Sequence, residues 1–125
     1  TGETHPVREF TNLTFQNIGI ELEWSGKGEN EIGKIKTIDL DKAKSLIDYS
    51  SKRDLFSFEF TSELKTGDIV VAVDPNYYRP TEVDLLIGDA AKVEKEIGWK
   101  AETKFEDIVR LMIKSDMGKV LKRGF

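Results

Sequence analysis

Arg79 and Glu82 stand three residues apart in the stretch Asp-Pro-Asn-Tyr-Tyr-Arg-Pro-Thr-Glu-Val-Asp at 74–84, and their chemistries are complementary. A guanidinium fork can bind a pyrophosphate bidentately, and a carboxylate can accept hydrogen bonds from both hydroxyls of a ribose. Pro80 fixes its own φ and pushes Arg79 out of the α region, so the guanidinium is presented from stiff, extended backbone. If Pro80 opens a helical turn, Glu82 reaches towards the same ligand. A nucleoside diphosphate derivative offers both groups. The same spacing also fits an exposed Arg–Glu pair beside a proline turn, and spacing by itself does not choose between the two.

Three further groups could do chemistry. Lys27 lies in a glycine-rich stretch, Ser-Gly-Lys-Gly-Glu-Asn-Glu-Ile-Gly at 25–33, which lacks the spacing of a Walker loop. It reads first as a plain loop, with Lys27 as a weak phosphate contact. His5, the one histidine, has no evident acidic or nucleophilic partner in the sequence, so a capping or surface role is expected ahead of general-base work. Arg8 falls on the polar side of a first helix and reads as part of a solvated face before it reads as a ligand contact. With no cysteine, thiolate metal sites and disulfides are excluded.

The elements that must position these residues follow from periodicity. Val7, Phe10, Thr14 and Ile18 recur at helical spacing behind Pro6, which predicts a helix over 6–18 ending at Gly19. Ile20, Leu22 and Trp24 alternate with glutamates, a half-buried strand with the apolar side chains inward. Leu40, Ala43, Leu46 and Ile47 suggest a short helix over 39–49. Phe56, Phe58 and Phe60 alternate as one face of a strand, read as packing ahead of a partner-contact patch. Turn residues at 65–68 precede an apolar run at 69–73 that suits a strand buried on both faces and hairpin-paired with the phenylalanine strand. A short strand or extended segment over 85–88 leads to Asp89, which caps a helix whose buried side is Ala90, Val93 and Ile97; Gly98 stops it, and Trp99 folds back on the last turn. Thr103 and Glu106 have capping-box spacing ahead of Phe105, Ile108, Val109, Met112, Ile113, Val120 and Leu121, a long final helix whose methionines fill core gaps. Lys114, Lys119, Lys122 and Arg123 suit its negative end. The sum is a small mixed α/β domain of a few short strands with packed helices.

A chain of 125 residues, 38% hydrophobic, can bury one core. Nineteen basic against 23 acidic residues give a net charge of −4, with no basic stripe interleaved with aromatics, so nucleic acid is not an expected partner. No apolar run is long enough to span a bilayer, and a soluble, cytoplasmic protein is expected.

Three blocks carry a resemblance: Thr-Gly-Glu-Thr-His-Pro-Val-Arg-Glu-Phe at 1–10, Tyr-Tyr-Arg-Pro-Thr-Glu-Val-Asp at 77–84 and Gly-Trp-Lys at 98–100. In that order they resemble the carboxy-terminal part of the GDP-mannose 4,6-dehydratases, over about 1–33 and 66–117. These are extended short-chain dehydrogenase/reductase proteins, in which a Rossmann domain binds NADP and a smaller carboxy-terminal domain binds the nucleotide sugar. The resemblance implies that Arg79 contacts the pyrophosphate and Glu82 the ribose of GDP-mannose. It also implies that the chain is an excised domain whose catalytic residues and NADP site lie in a missing Rossmann half, since neither Gly-x-Gly-x-x-Gly nor Tyr-x-x-x-Lys occurs. The implied parent is a homo-oligomer that converts GDP-mannose to GDP-4-keto-6-deoxymannose by hydride transfer from C4 to NADP, loss of water across C5 and C6, and hydride return to C6. Residues 34–65 exceed what the family carries there and are expected to be an insertion. Two rivals stand beside this reading: the substrate domain of another nucleotide-sugar dehydratase, epimerase or reductase, and a non-catalytic binding or interaction module.

Overall fold

The computed structural model describes residues 3–39, 41–42, 63–79 and 87–123, with the side chains of 121–123 excluded. In chain order these form helix α1 (Val7–Asn17), strand β1 (Ile20–Ser25), strand β2 (Ile32–Ile38), strand β3 (Ile69–Ala72), helix α2 (Ala91–Ile97) and helix α3 (Phe105–Arg123). The strands make one antiparallel sheet in the order β1-β2-β3. The α/β class is as expected; of the three described strands, β1 and β3 match expected ones and β2 does not.

The additional strand is the central one. β2 pairs with β1 from Ile20↔Ile38 to Ser25↔Ile32 and with β3 from Ile32↔Ala72 to Lys34↔Ile69. Ile35 is 1% exposed, and its backbone is held by bonds from its N–H to the Asp68 carbonyl (2.9 Å) and from the Gly67 N–H to its own carbonyl (2.8 Å). Residues 34–38 of the expected insertion at 34–65 belong to the sheet. The next residues start as expected: Asp39 Oδ1 accepts from the backbone N–H groups of Asp41 (3.2 Å) and Lys42 (3.4 Å), a helix-capping pattern. The rest of the 39–49 helix and the Phe56–Phe58–Phe60 row lie outside the described residues.

β3 also differs from expectation. Its described partner is β2, and Ile69 is exposed, so it is an edge strand of the described sheet and not a strand buried on both faces. The unbroken apolar run was ambiguous because it fits either setting. The turn before it is confirmed: the Lys65 N–H donates to Asp68 Oδ2 at 2.7 Å, and the Asp68 N–H to the Lys65 carbonyl at 3.1 Å.

Helix α1 joins the sheet to α3, packing on β1 with one side and on α3 with another. Val109 and Ile113 of α3 are buried, with Phe10, Leu13, Ile18, Phe105 and Met117 packed around them. On α3 the inward residues are thus 105, 109, 113 and 117, a single ridge at four-residue spacing. Ile108 and Met112, expected inward, lie off that ridge and are exposed. Val7, also expected inward, is 81% exposed because it occupies the first turn of α1, ahead of the region that α3 covers. Gly19 ends α1 at φ +79, where a Cβ would fall 1.8 Å from the Asp39 carbonyl oxygen; glycine lets the start of β1 lie directly against the end of β2.

α2 stops at Gly98 as expected, with the Gly98 N–H on the Glu94 carbonyl at 2.9 Å, and Asp89 Oδ1 accepts from the Ala91 N–H at 2.9 Å. Its expected buried side is not buried. Val93, Ile97 and Trp99 are exposed, Ile97 by 75%. Ile87 and Gly88 are not in a strand, and the first two residues of the stretch at 85–88 lie outside the described residues.

The start of α1 is stapled to α3 through His5. Its ring stacks on Phe105 with centroids 3.9 Å apart and an interplanar angle of 4°, while Nδ1 lies 3.0 Å from Glu9 Oε2. A carboxylate only accepts, so Nδ1 carries the proton and the neutral ring leaves Nε2 as an acceptor. That Nε2 is buried and has no hydrogen-bond partner; the nearest carboxylate oxygen, Glu3 Oε2, is 3.6 Å away and Glu3 in turn faces Lys104. The capping role expected of His5 is not observed, since Pro6 holds the cap position with no side-chain bond. The acidic partner one helical turn on, Glu9, was visible in the spacing and was missed.

Two predictions follow from this packing. Ile35→Ala should cost about 2–5 kcal/mol in denaturant unfolding, whereas bridging 43–62 with a short Gly/Ser linker should leave cooperative unfolding intact; loss of cooperativity in the bridged chain would place that segment in the core. The hydrogen bond to Glu9 raises the His5 pKa above its ordinary value, against the opposing effect of burial and with smaller help from the charges of Glu9 and Glu3. A raised folded-state pKa adds stability that is complete below the unfolded value of about 6.5 and is lost as pH rises through the folded one. The Tm difference between the protein and His5→Gln should therefore be larger near about pH 6 than near about pH 8.5. A difference independent of pH would leave only the stack as the basis of the staple.

Candidate functional site

Sheet register brings the two separate sequence candidates to one place. In the antiparallel pairing, Ser25 at the end of β1 lies opposite Ile32 at the start of β2, and Ile32 lies opposite Ala72 at the end of β3. The glycine-rich loop at 26–31 and the segment 73–79 that carries Arg79 therefore leave the sheet at the same end.

The segment after β3 is a locally built turn. Asp74 Oδ1 accepts from the backbone N–H of Asn76 (2.9 Å) and from its Nδ2 (3.0 Å), and the Asp74 carbonyl accepts from the N–H groups of Tyr77 (3.0 Å) and Tyr78 (3.1 Å). Asp before Pro75 suits this arrangement, because the proline sets the first turn position and the aspartate side chain bonds the backbone two residues on. Arg79 follows directly and is exposed. Pro80 and Glu82 lie outside the described residues, so the structure places one member of the proposed clamp.

The glycine-rich loop is a 3-10 turn at Gly28–Asn30, closed by bonds from the Asn30 N–H to the Lys27 carbonyl and from the Glu31 N–H to the Gly28 carbonyl, each 3.2 Å. Lys27 is exposed at its start. Gly28 has φ +59, and a Cβ built on it would meet Tyr78 Oη at 3.0 Å. The turn is thus seated against the residue next to Arg79, a contact that neither stretch announces on its own.

Arg8 anchors the other side of the turn. Its guanidinium is ion-paired with Glu31 and stands over the Trp24 ring, 5.4 Å from the centroid, while Trp24 Nε1–H donates to Asn12 Oδ1 at 2.7 Å. Arg8 is therefore part of a fixed junction between α1, β1 and the loop, and neither a plain solvated residue nor a described ligand contact. Trp24 is half-buried with Leu22, as the alternation of β1 indicated. On the solvent side of the sheet the hydrogen bond from Lys36 Nζ to Glu21 Oε1 (2.9 Å) lowers the Glu21 carboxyl and raises the Lys36 amine from their ordinary ranges. Both groups are exposed, so the pair is a minor contributor.

Among the described residues no group of three or more metal-ligating side chains occurs, and no helix is long and apolar enough to cross a membrane. At this end of the sheet the glycine turn carries the exposed Lys27, and the segment after β3 carries the exposed Arg79.

The chain's relatives agree with the resemblance carried by residues 1–10, 77–84 and 98–100. The family model described as GDP-mannose 4,6 dehydratase matches residues 1–112. The chain is 38% identical over 117 residues to the GDP-mannose 4,6 dehydratase of Cricetulus griseus, covering 94% of this chain and 24% of that protein. It is 37% identical over 117 residues to that of Yersinia enterocolitica (94% and 27%) and 35% identical over 124 residues to that of Dictyostelium discoideum (99% and 27%). The chain spans about a quarter of the length of the curated relatives it matches. With the match running through the first helix, the sheet and the start of α3, the chain belongs to the GDP-mannose 4,6 dehydratase family.

Proposed function

We propose that this chain holds the nucleotide end of GDP-mannose in a GDP-mannose 4,6-dehydratase, a lyase of the extended short-chain dehydrogenase/reductase type. The observation that supports it best is the convergence of the Arg79 segment and the glycine turn on one sheet end in a chain of this family. Arg79 presents its fork to the pyrophosphate, and Glu82 accepts hydrogen bonds from the ribose hydroxyls. Holding GDP at a distance from the reacting hexose serves catalysis, because binding energy gained there is used to orient the sugar. The complete enzyme in this reading is a cytoplasmic homo-oligomer that makes GDP-4-keto-6-deoxymannose with NADP bound in a Rossmann domain.

The described residues do not form a Rossmann-type NADP site. Such a site has a glycine turn leading from a parallel strand into a helix whose N-terminus faces the pyrophosphate. Here the glycine loop joins two antiparallel strands through a 3-10 turn. The chain's part is confined to binding and orienting the substrate nucleotide.

Calorimetric titration with GDP tests this. Arg79→Ala should weaken binding by about 1.5–3 kcal/mol, roughly ten- to over a hundredfold, as for a hydrogen bond to a charged group. Arg79→Lys should recover only part, since a point charge replaces the fork. Glu82→Gln should weaken binding less than Arg79→Ala, and 2′-deoxy-GDP should bind Glu82→Gln and the unaltered chain nearly equally. GDP binding unchanged in folded Arg79→Ala and Glu82→Gln chains would remove the clamp. A second assay addresses the division of labour: the 125-residue chain should bind no NADP and release no 4-keto sugar from GDP-mannose, and turnover by it would overturn the assignment.

A further inference from the structure

We propose that Tyr78 is a positioning residue for Arg79, and that the glycine turn at Gly28 is the seat that fixes it. This rests on the reading of Arg79 as the diphosphate contact and adds two residues to that site.

Tyr77 and Tyr78 are adjacent, share one turn and donate their N–H groups to the same Asp74 carbonyl, yet Tyr77 is 82% exposed and Tyr78 38%. Tyr78 lies against Gly28. A Cβ there would lie 3.0 Å from Tyr78 Oη, 3.6 Å from Cζ and 4.0 Å from Cε2, so the phenol end occupies the space that any other residue's side chain would need. The seat is itself fixed from both sides. A Cβ on Gly26 would fall 2.0 Å from the Asn30 carbonyl oxygen, so the loop is closed tightly on itself, and Glu31 at its far end is tied to Arg8.

Arg79 is the next residue along the chain from Tyr78. A ring held against a fixed turn limits where the following Cα and its side chain can go. A looser backbone at Tyr78 would let the Arg79 segment sample several positions, and apparent affinity would fall with the fraction of time spent in the productive one. Tyr78 thus acts through Arg79 and needs no contact with the ligand.

The test uses the space around the phenol oxygen. Gly28→Ala places a methyl against it and should weaken GDP binding about tenfold. The double variant Gly28→Ala/Tyr78→Phe removes the oxygen and leaves the nearest ring carbon at an ordinary 3.6 Å contact distance, so it should recover most of that loss. Both variants carry alanine at φ +59, so the backbone strain is common to them and cannot account for a rescue. Tyr78→Phe alone should stay within about twofold of the unaltered chain, and Tyr78→Ala should lose as much as Gly28→Ala. If Gly28→Ala does not fold, Tyr78→Ala against Tyr78→Phe makes the same comparison. A double variant as weak as the single one, or a Tyr78→Ala chain that binds GDP normally, would overturn the inference while Arg79→Ala still weakens binding. If Arg79→Ala binds GDP like the unaltered chain, the nucleotide reading itself fails and the inference with it.

Discussion

A strand bonded on both edges has to be in register before either neighbour can be placed, and β2 is that strand here. Its pairing with β1 and β3 fixes which loops share an end of the sheet, and Ile35 gives the register an energetic basis by burying its side chain on one face. A slip of one residue would turn Ile35 to the opposite face and bring a lysine, Lys34 or Lys36, into its place. The meeting of the glycine turn with the Arg79 segment is therefore a consequence of one buried isoleucine as much as of the residues that touch.

α1 transmits that geometry to the rest of the domain. Phe10, Leu13 and Ile18 fill the space towards α3, while Asn12 and Arg8 hold Trp24 and the loop. The polar junction at its start is partly exposed, and its strength lies in number and direction: an ion pair, a guanidinium over an indole, an indole N–H bond and a stacked imidazole fix the helix in rotation. The apolar residues of α2 have no such counterpart among the described residues, which is why that helix is set by its own ends, Asp89 and Gly98, more than by a core.

The elements with strong local signals were legible in the sequence. α1 began one residue after its proline and ended two before its glycine, β1 showed its alternation, and Gly98 stopped α2. β2 was not legible, because Ile32, Ile35 and Ile38 recur every third residue and its bulge-shifted register breaks strict alternation. Burial was read too generously wherever an apolar residue fell near a helical stripe: α3 uses a narrow ridge at 105, 109, 113 and 117, and Ile108 and Met112 flank it in the open. Of the site, Arg79 could be singled out from residue type and its proline. Tyr78 could not, since its role depends on Gly28, 50 positions away, and only the sheet register connects them.

The antiparallel register also separates the two ends of the strands by purpose. The chain leaves β2 at Ile38 and returns at Lys65 at the end of the sheet opposite the glycine turn, roughly 20 Å away for six residue steps of extended strand. Lengthening a connection is inexpensive, each doubling adding only about 0.6 kcal/mol of closure entropy. The connection between β2 and β3 thus joins the sheet at the end farthest from the glycine turn, where a change in its length costs little closure entropy.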